Sequence, residues 1–446
     1  MASTSSDSDA IVLGGGFAGL SCAVSLAHAG KRVVLLEKKP HLGGRAYSFK
    51  DAETGDLVDN GQHLFMGCYR ETRAFLDRIG TGDKLKLSDE IRVDYADAAG
   101  GRDALICPTR LGAPLHLAAG VLGLKGLSIS DKLGLVRLDL KLRALRARNP
   151  LPPELDGLTV RAWLTSLRQS PRIQERLFDP IALGALNDDP AVAAATGFVQ
   201  VLTRAFYDGV EGSKLGVSTV GLSDLYVDAA RAFVEARGGR VLLSKKVKAI
   251  GAGLVTCEDS ETFTAPHVVS SLPPWDLLKL ELPASLRGSW QGLKPAPIVS
   301  ISLWLDRPVI EEPLIGLLGT EIQWVFNKTR IHSLPGGGQY LALVISGAHK
   351  QVAADPKLLL EIAKRDLARC FPDFQKATIK RWKVVKEPFA TLSPVPGSDA
   401  LRPGPSSGTP GFVFAGDWTR TGLPATIESA VLSGRRAAQL ILDGGN

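Results

Sequence analysis

The sequence of 446 residues holds five cysteines, Cys22, Cys68, Cys107, Cys257 and Cys370, and no two of them form a C-x-x-C pair. An odd, scattered set of this kind supports neither a disulfide framework nor a zinc site, and no metal is expected. No uncharged apolar run reaches the ~18 residues of a membrane-spanning helix. Residues 1–9 are a polar Ser/Asp tail without a basic start or an apolar core, so they do not read as a signal peptide, and a cytosolic chain is expected. Tyrosine is scarce, six in all and none after Tyr340. What remains is 45% hydrophobic and 22% charged, a globular composition with length for two large domains.

The net charge of +7 is concentrated. Residues 110–148 carry eight basic side chains against Asp131 and Asp139, a local charge of +6. The stretch is rich in leucine and lacks aromatics. It predicts two or three short helices joined at Gly126 and Ser128, with Ser130-Asp131 as an N-cap and an end at Asn149-Pro150. Two roles compete: a helical lid with a solvated basic face, or a surface segment whose leucines enter a bilayer while Lys and Arg meet anionic lipid. The second is the expectation carried forward. Without an aromatic platform or a known motif, nucleic-acid binding is not expected.

Residues 10–45 organise the rest. Ala10–Leu13 reads as a buried parallel strand, 17–29 as a helix and Val33–Leu36 as a second strand. Between the first two, Gly14, Gly16 and Gly19 fit G-x-G-x-x-G. They serve a tight turn, the approach of backbone to a pyrophosphate, and close helix packing. The helix amides at Phe17 and Ala18 and the helix dipole favour a phosphate there. Glu37 ends the second strand where a ribose-hydroxyl acceptor belongs, with Lys38 beside it. A carboxylate there favours a plain adenosine ribose over NADP.

Further on, 67–80 reads as a helix and 85–107 as a strand pair turning at Ala99-Gly100-Gly101. Residues 158–230 read as mainly helical, broken at Asn187–Pro190, with Gly221–Asp224 preceding a helix over 225–236. Strands are predicted at 240–243, 247–250, 268–272, 298–305, 323–326, 341–345 and 412–415, and helices at 357–370 and after Pro424. Residues 394–410 read as a loop.

Gly43-Gly44-Arg45 and Asp59-Asn60-Gly61-Gln62-His63, together with the strand-end Gly416-Asp417-Trp418, resemble the FAD-dependent amine oxidase and phytoene desaturase superfamily. The resemblance implies an α/β fold: a Rossmann-type FAD-binding domain (1–80, 225–290, 405–446) interleaved with an α+β substrate domain (81–224, 291–404). It implies non-covalent FAD held by Gly14, Gly16, Phe17, Ala18, Gly19, Glu37, Lys38, Gly44, Arg45, Gln62, His63, Val247, Gly416, Asp417, Ala425, Thr426 and Ile427. Arg45 would offer a fork of donors to phosphate oxygens. Val247 would lie on the adenine side, Gly416-Asp417 by the ribityl and phosphate part, and the last helix would aim its positive end at the flavin.

DNGQHLFMGCYRET, APLHL, GLSDL, SSLPPW, SLWLDRPV and AGDWTRTGLPATIESAVLSGRRAA are similar, more narrowly, to the squalene-associated hydroxysqualene dehydroxylases of bacterial hopanoid biosynthesis. That family reduces an allylic alcohol to squalene, which requires an acid for the leaving hydroxyl and hydride from reduced flavin. His63 is the first candidate acid, Asp59 its orienting partner, and Asp224 and Tyr226 the reserves. A hydrophobic isoprenoid substrate, an unidentified electron donor and attachment to the inner face of the cell membrane are implied. A single glycine fingerprint leaves no second site for NAD(P)H. A phytoene-type desaturase is the alternative; an amine oxidase or a non-catalytic prenyl-binding protein ranks lower.

Overall fold

The computed structural model describes residues 8–148 and 150–444. Its first sheet has five parallel strands in the order Arg240–Leu242, Val33–Leu36, Ala10–Leu13, His267–Ser270, Phe412–Phe414. Every residue of Ala10–Leu13 and Val33–Leu36 is buried, because both faces of this sheet are covered. Three helices, Phe17–His28, Leu222–Glu235 and Ile427–Leu442, supply much of one cover. The first and last of these touch backbone to backbone: a Cβ on Gly434 would stand 2.1 Å from the Ala18 carbonyl oxygen. The middle helix starts at Leu222 with Gly221 as its cap residue, so Ser223 and Asp224 lie inside its first turn rather than ahead of it.

The second sheet has seven strands, in the order Ile379–Leu392, Pro295–Leu305, Gln339–Ser346, Trp324–Asn327, Leu314–Leu318, Ile91–Asp97, Arg102–Cys107. All neighbours are antiparallel except Leu314–Leu318 beside Ile91–Asp97. Alternation divides the side chains. Val325, Leu341 and Leu343 pack with the helix Pro356–Cys370, whereas Trp324, Phe326, Ala342 and Val344 pack with helices drawn from residues 115–207. Trp324 and Ser300 are both registered with Val344, and Ile298 with Glu387, which puts Glu387 on the helical side too. Two of these strands, Leu314–Leu318 and Ile379–Leu392, have no counterpart among the predicted elements.

The basic stretch folds as two helices, Leu115–Gly123 and a single helix of 18 residues, Ile129–Arg146. The long helix is capped by Ser128, not by Ser130-Asp131 as predicted. The Ser128 hydroxyl accepts from the Asp131 amide while the Asp131 carboxylate accepts from the Ser128 amide, a capping box. Asn149, part of the expected stop, lies outside the described residues. The long helix is apolar on two sides. Leu138, Leu142 and Leu145 are buried, while Ile129, Leu133, Val136 and Leu140, at i, i+4, i+7 and i+11, are 56–78% exposed.

Lys328, directly after the strand Trp324–Asn327, is paired with Asp59 at the end of the short strand Leu57–Asp59, with Nζ and Oδ2 2.8 Å apart and both side chains about 95% buried. Burial alone would raise the Asp59 carboxyl. Lys328, a hydrogen bond from the Ser48 hydroxyl and one from the Leu222 amide outweigh it, and the net direction is down. The pair's contribution is therefore present above the ordinary aspartate range and lost as pH falls below that range through the depressed Asp59 value. Replacing Lys328 by Leu strands a buried carboxylate and should cost ~3–5 kcal/mol in urea unfolding, whereas adding Asp59→Leu should recover most of the loss. A single Lys328→Leu variant as stable as the parent would show that the pair does not stabilise the fold.

Candidate active site

A cavity of ≈ 500 Å³ runs between the two sheets. It is lined by Gly14, Gly16, Phe17, Ala18, Glu37, Lys38, Gly44, Arg45, His63, Val247, Gly416, Asp417, Ala425, Thr426 and Ile427. Two residues from the predicted set do not reach it. Gly19 serves packing, since a Cβ there would sit 1.9 Å from the Gly14 carbonyl oxygen. Gln62 lies just outside the wall.

The geometry fits an adenine dinucleotide. Gly14 holds φ at +97°, which L side chains avoid, and turns the chain from strand to helix. Gly16 faces Gly44 so closely that a Cβ on Gly44 would lie 3.1 Å from the Gly16 Cα, leaving bare backbone on this wall. The Glu37 carboxylate is 5% exposed and accepts from the Gly15 amide at 2.7 Å and the Lys39 amide at 2.9 Å. Each oxygen keeps a lone pair for a ribose hydroxyl. At the other end, Thr426 caps the helix Ile427–Leu442 by accepting from the Ser429 amide, so the helix's positive end opens on the cavity.

Arg45 departs from its predicted role. Its Nη2 lies 2.7 Å from Asp417 Oδ1, and its Nη1 donates to the Ala390 carbonyl oxygen at 3.0 Å. The expected phosphate fork is thus engaged by protein, and Arg45 acts first as a clasp between the glycine loop, the Gly416-Asp417 turn and the strand Ile379–Leu392. Desolvation opposes its charge, but Asp417 and, more weakly, Glu387 and Asp276 hold its pKa above the ordinary value.

The four proposed catalytic side chains are scattered. His63 lines the cavity, with Nδ1 2.9 Å from the Gly61 carbonyl oxygen. Asp59 is not its hydrogen-bond partner, because that carboxylate is committed to Lys328, Ser48 and the Leu222 amide. Asp224 is exposed on the first turn of its helix and does not line the cavity. Tyr226 is fully buried behind the wall. Its ring stacks on Phe17 with centroids 3.7 Å apart, and its hydroxyl reaches the carbonyls of Gly43 and Ala46 at 2.9 Å. It braces the second glycine loop.

Sequence reasoning missed Trp275, Glu387, Phe389 and Thr391, all of which line the cavity. Trp275 follows the strand end Ser271–Pro274, whose motif was visible but carried no assigned role. The other three belong to the unpredicted strand Ile379–Leu392. Glu387 Oε2 accepts from Asn60 Nδ2 at 3.3 Å, joining this strand to the loop that carries His63.

Glu37→Ala removes both the ribose acceptor and the anchor of the Gly15 amide. FAD affinity, measured by flavin release on dilution, should fall by roughly 1–3 kcal/mol. Unchanged affinity would reject Glu37 as a cofactor residue.

Residues 17–442 match the family of flavin containing amine oxidoreductases. The chain is 31% identical to the hydroxysqualene dehydroxylase of Rhodopseudomonas palustris over 447 residues, covering 97% of this chain and 98% of that one. It is 26% identical to the 15-cis-phytoene desaturase of Synechococcus elongatus, with 97% and 95% covered. Among solved structures it resembles cyclohexylamine oxidase from Brevibacterium oxydans, with a TM-score of 0.74, 17% identity and coverage of 98% and 99%. At that identity the likeness speaks to fold alone. The family match and the dinucleotide cavity agree: this chain is an FAD-dependent oxidoreductase and belongs to the flavin containing amine oxidoreductase family.

Proposed function

We propose that the chain catalyses the reductive dehydroxylation of hydroxysqualene to squalene. The reading is carried by its full-length similarity to hydroxysqualene dehydroxylases, taken together with a cavity that presents a histidine. Hydroxysqualene, a hydride and a proton give squalene and water, and the flavin supplies the hydride when bound in its reduced form. The residues must deliver the proton and keep water out. His63 is the proton carrier in this reading. Its Nδ1–H donates to the Gly61 carbonyl, which leaves Nε2 as the ring atom open to a ligand. Desolvation holds the imidazole below its usual range, against the pull of Asp59 and the Gly61 carbonyl and with the push of Arg45 and Lys328. Once protonated it is a stronger acid than a free histidine, suited to a poor leaving group. Glu387, on the facing strand, is the cavity's other proton-bearing candidate. The sequence's single glycine fingerprint favours an external electron donor over a second nicotinamide site. The 26% identity to a phytoene desaturase supports a second reading, oxidative desaturation.

Photoreduced enzyme mixed anaerobically with hydroxysqualene should reoxidise its flavin and yield squalene stoichiometrically. Recovery of unchanged alcohol, with desaturation of phytoene instead, would favour the second reading. In single turnover His63→Ala should keep its flavin but react ~10²-fold more slowly. The wild-type rate should climb as pH falls below 6.5, because only then does the depressed imidazole fill with protons. A wild-type rate that does not depend on pH there would remove His63 from the proton-transfer step.

The same reading extends to the membrane. No helix of the described residues is long and apolar enough to cross a bilayer. The exposed stripe Ile129, Leu133, Val136 and Leu140, with Leu115 and Leu122 also exposed, nevertheless offers an apolar surface bordered by Lys125, Arg137 and Lys141. Each basic residue near an anionic surface contributes about 1 kcal/mol, and buried leucines add to it. Lys132 is less suitable as a lipid contact, since its ammonium donates to the Leu122 carbonyl at 2.7 Å. Changing Lys125, Arg137 and Lys141 to Glu should release the enzyme from anionic vesicles with its flavin spectrum intact, and wild-type binding should weaken with salt. Co-sedimentation equal to wild type would make the segment a lid.

A further inference from the structure

We propose that Arg402 is a positioning residue for the flavin: it holds the loop 417–423 in shape from within and sets a positive charge behind that part of the cavity wall. The role concerns the FAD site alone and does not depend on which substrate the enzyme takes.

Arg402 is 4% exposed and lies in the stretch 394–410, which the sequence marks only as a loop. A guanidinium has five N–H donors, and here all five are met. Nε donates to the Trp418 carbonyl at 3.4 Å. Nη1 donates to the Leu423 carbonyl at 2.8 Å and to Asp399 Oδ1 at 3.0 Å. Nη2 donates to the carbonyls of Asp417 at 2.9 Å and Thr419 at 2.7 Å. Four of the five acceptors are thus backbone carbonyls of one loop. The arginine is anchored in turn. The Gly397, Asp399 and Ala400 amides donate to the carbonyl and carboxylate of Asp156, and the Arg420 amide donates to the Pro403 carbonyl at 2.7 Å.

That loop joins two stretches of the cavity wall. Gly416 and Asp417 line the cavity at its start, and Ala425, Thr426 and Ile427 line it just past its end. Folding the loop around one planar side chain fixes the Asp417 turn relative to the positive end of the helix Ile427–Leu442. The charge has a consequence of its own. Carbonyls accept equally from a neutral donor, and burying a cation costs free energy that a neutral donor avoids. The one carboxylate paired with Arg402 among the described residues, Asp399, is 32% exposed, so water screens part of its field. The guanidinium charge is therefore incompletely cancelled toward the cavity. A flavin gains electron density on reduction, and a buried cation behind its wall favours the reduced form.

The test compares holoenzyme with three variants by two readouts: FAD affinity from flavin release on dilution, and the flavin midpoint potential from dye-linked reduction. Arg402→Lys keeps a charge but replaces the planar fork with donors at one point. It should hold FAD about tenfold more weakly, with a potential near that of wild type. Arg402→Met should lose at least as much affinity and shift the potential negative. Asp399→Asn leaves the arginine in place and removes the charge that offsets it, so FAD should stay bound while the potential moves positive. Wild-type affinity in Arg402→Lys would overturn the positioning role, and an unmoved potential in both Arg402→Met and Asp399→Asn would overturn the role of the charge. Lower thermal stability of the flavin-free variants with affinity and potential both unchanged would leave Arg402 a residue of the fold alone. Should either Arg402 variant fail to fold, Asp399→Asn decides: a wild-type potential there overturns the proposal.

Discussion

The site depends on one contact between distant parts of the chain, the pair of Arg45 with Asp417, 372 residues apart and 2.7 Å across. Arg45 follows the second glycine loop, and Asp417 follows the last strand of the parallel sheet. Through Ala390, Arg45 also reaches the edge strand of the other sheet. A planar guanidinium can hold a carboxylate and a carbonyl at fixed directions, which a lysine could not. Without it, three walls of the cavity would be joined only through the rest of the fold. The buried Lys328–Asp59 pair is a second such contact, 269 residues apart, at the start of the loop that carries His63. Two ion pairs between distant parts of the chain thus fix the loops that carry Arg45 and His63.

What the sequence disclosed follows from how local each signal is. The strand-turn-helix of residues 10–37 is written in consecutive residues, and its elements stand within a residue or so of their predicted ends. Leu314–Leu318 escaped because it is apolar throughout, buried on both faces, and has no alternation to read. Ile379–Leu392 escaped for the opposite reason. It carries Lys380, Arg381, Lys383, Lys386 and Glu387 and contains Pro388, which reads as a loop. An edge strand tolerates that proline, and the register with Pro295–Leu305 skips there. With the strand went Glu387, Phe389 and Thr391. The misplaced roles of Asp59, Asp224 and Tyr226 have a common origin. A motif gives the neighbourhood of a side chain but not its direction, and these three turn toward a lysine, toward solvent and toward two backbone carbonyls.

The helix Ile129–Arg146 shows how composition can hide two functions in one element. Its leucines were legible, but not their partition. One set of three enters the core beside the helix Ala195–Tyr207, and a second set faces outward. Fully burying a side chain such as leucine is worth about 1.5–3 kcal/mol, so leaving four large apolar residues in water forgoes a substantial stabilisation. Proteins seldom leave such a stripe uncovered without a use for it. An apolar stripe with a basic border is the kind of surface that meets an anionic bilayer.

The helix Ala195–Tyr207 then connects that surface to the centre. At its C-terminal end Tyr207 bonds to Asp139 of the helix Ile129–Arg146, and at its N-terminal end the Ala194 amide donates to the carbonyl of Pro394, three residues past cavity-lining Thr391. Its sides divide the labour. Ala195, Phe198, Val199 and Leu202 are sunk in the apolar cluster and fix its position. The neighbouring face carries Thr203 and Tyr207, whose hydroxyls are satisfied by the Val199 carbonyl and Asp139. One helix, pinned by its apolar face and hydrogen-bonded near both ends, thus couples the outward-facing stripe to the edge of the cavity.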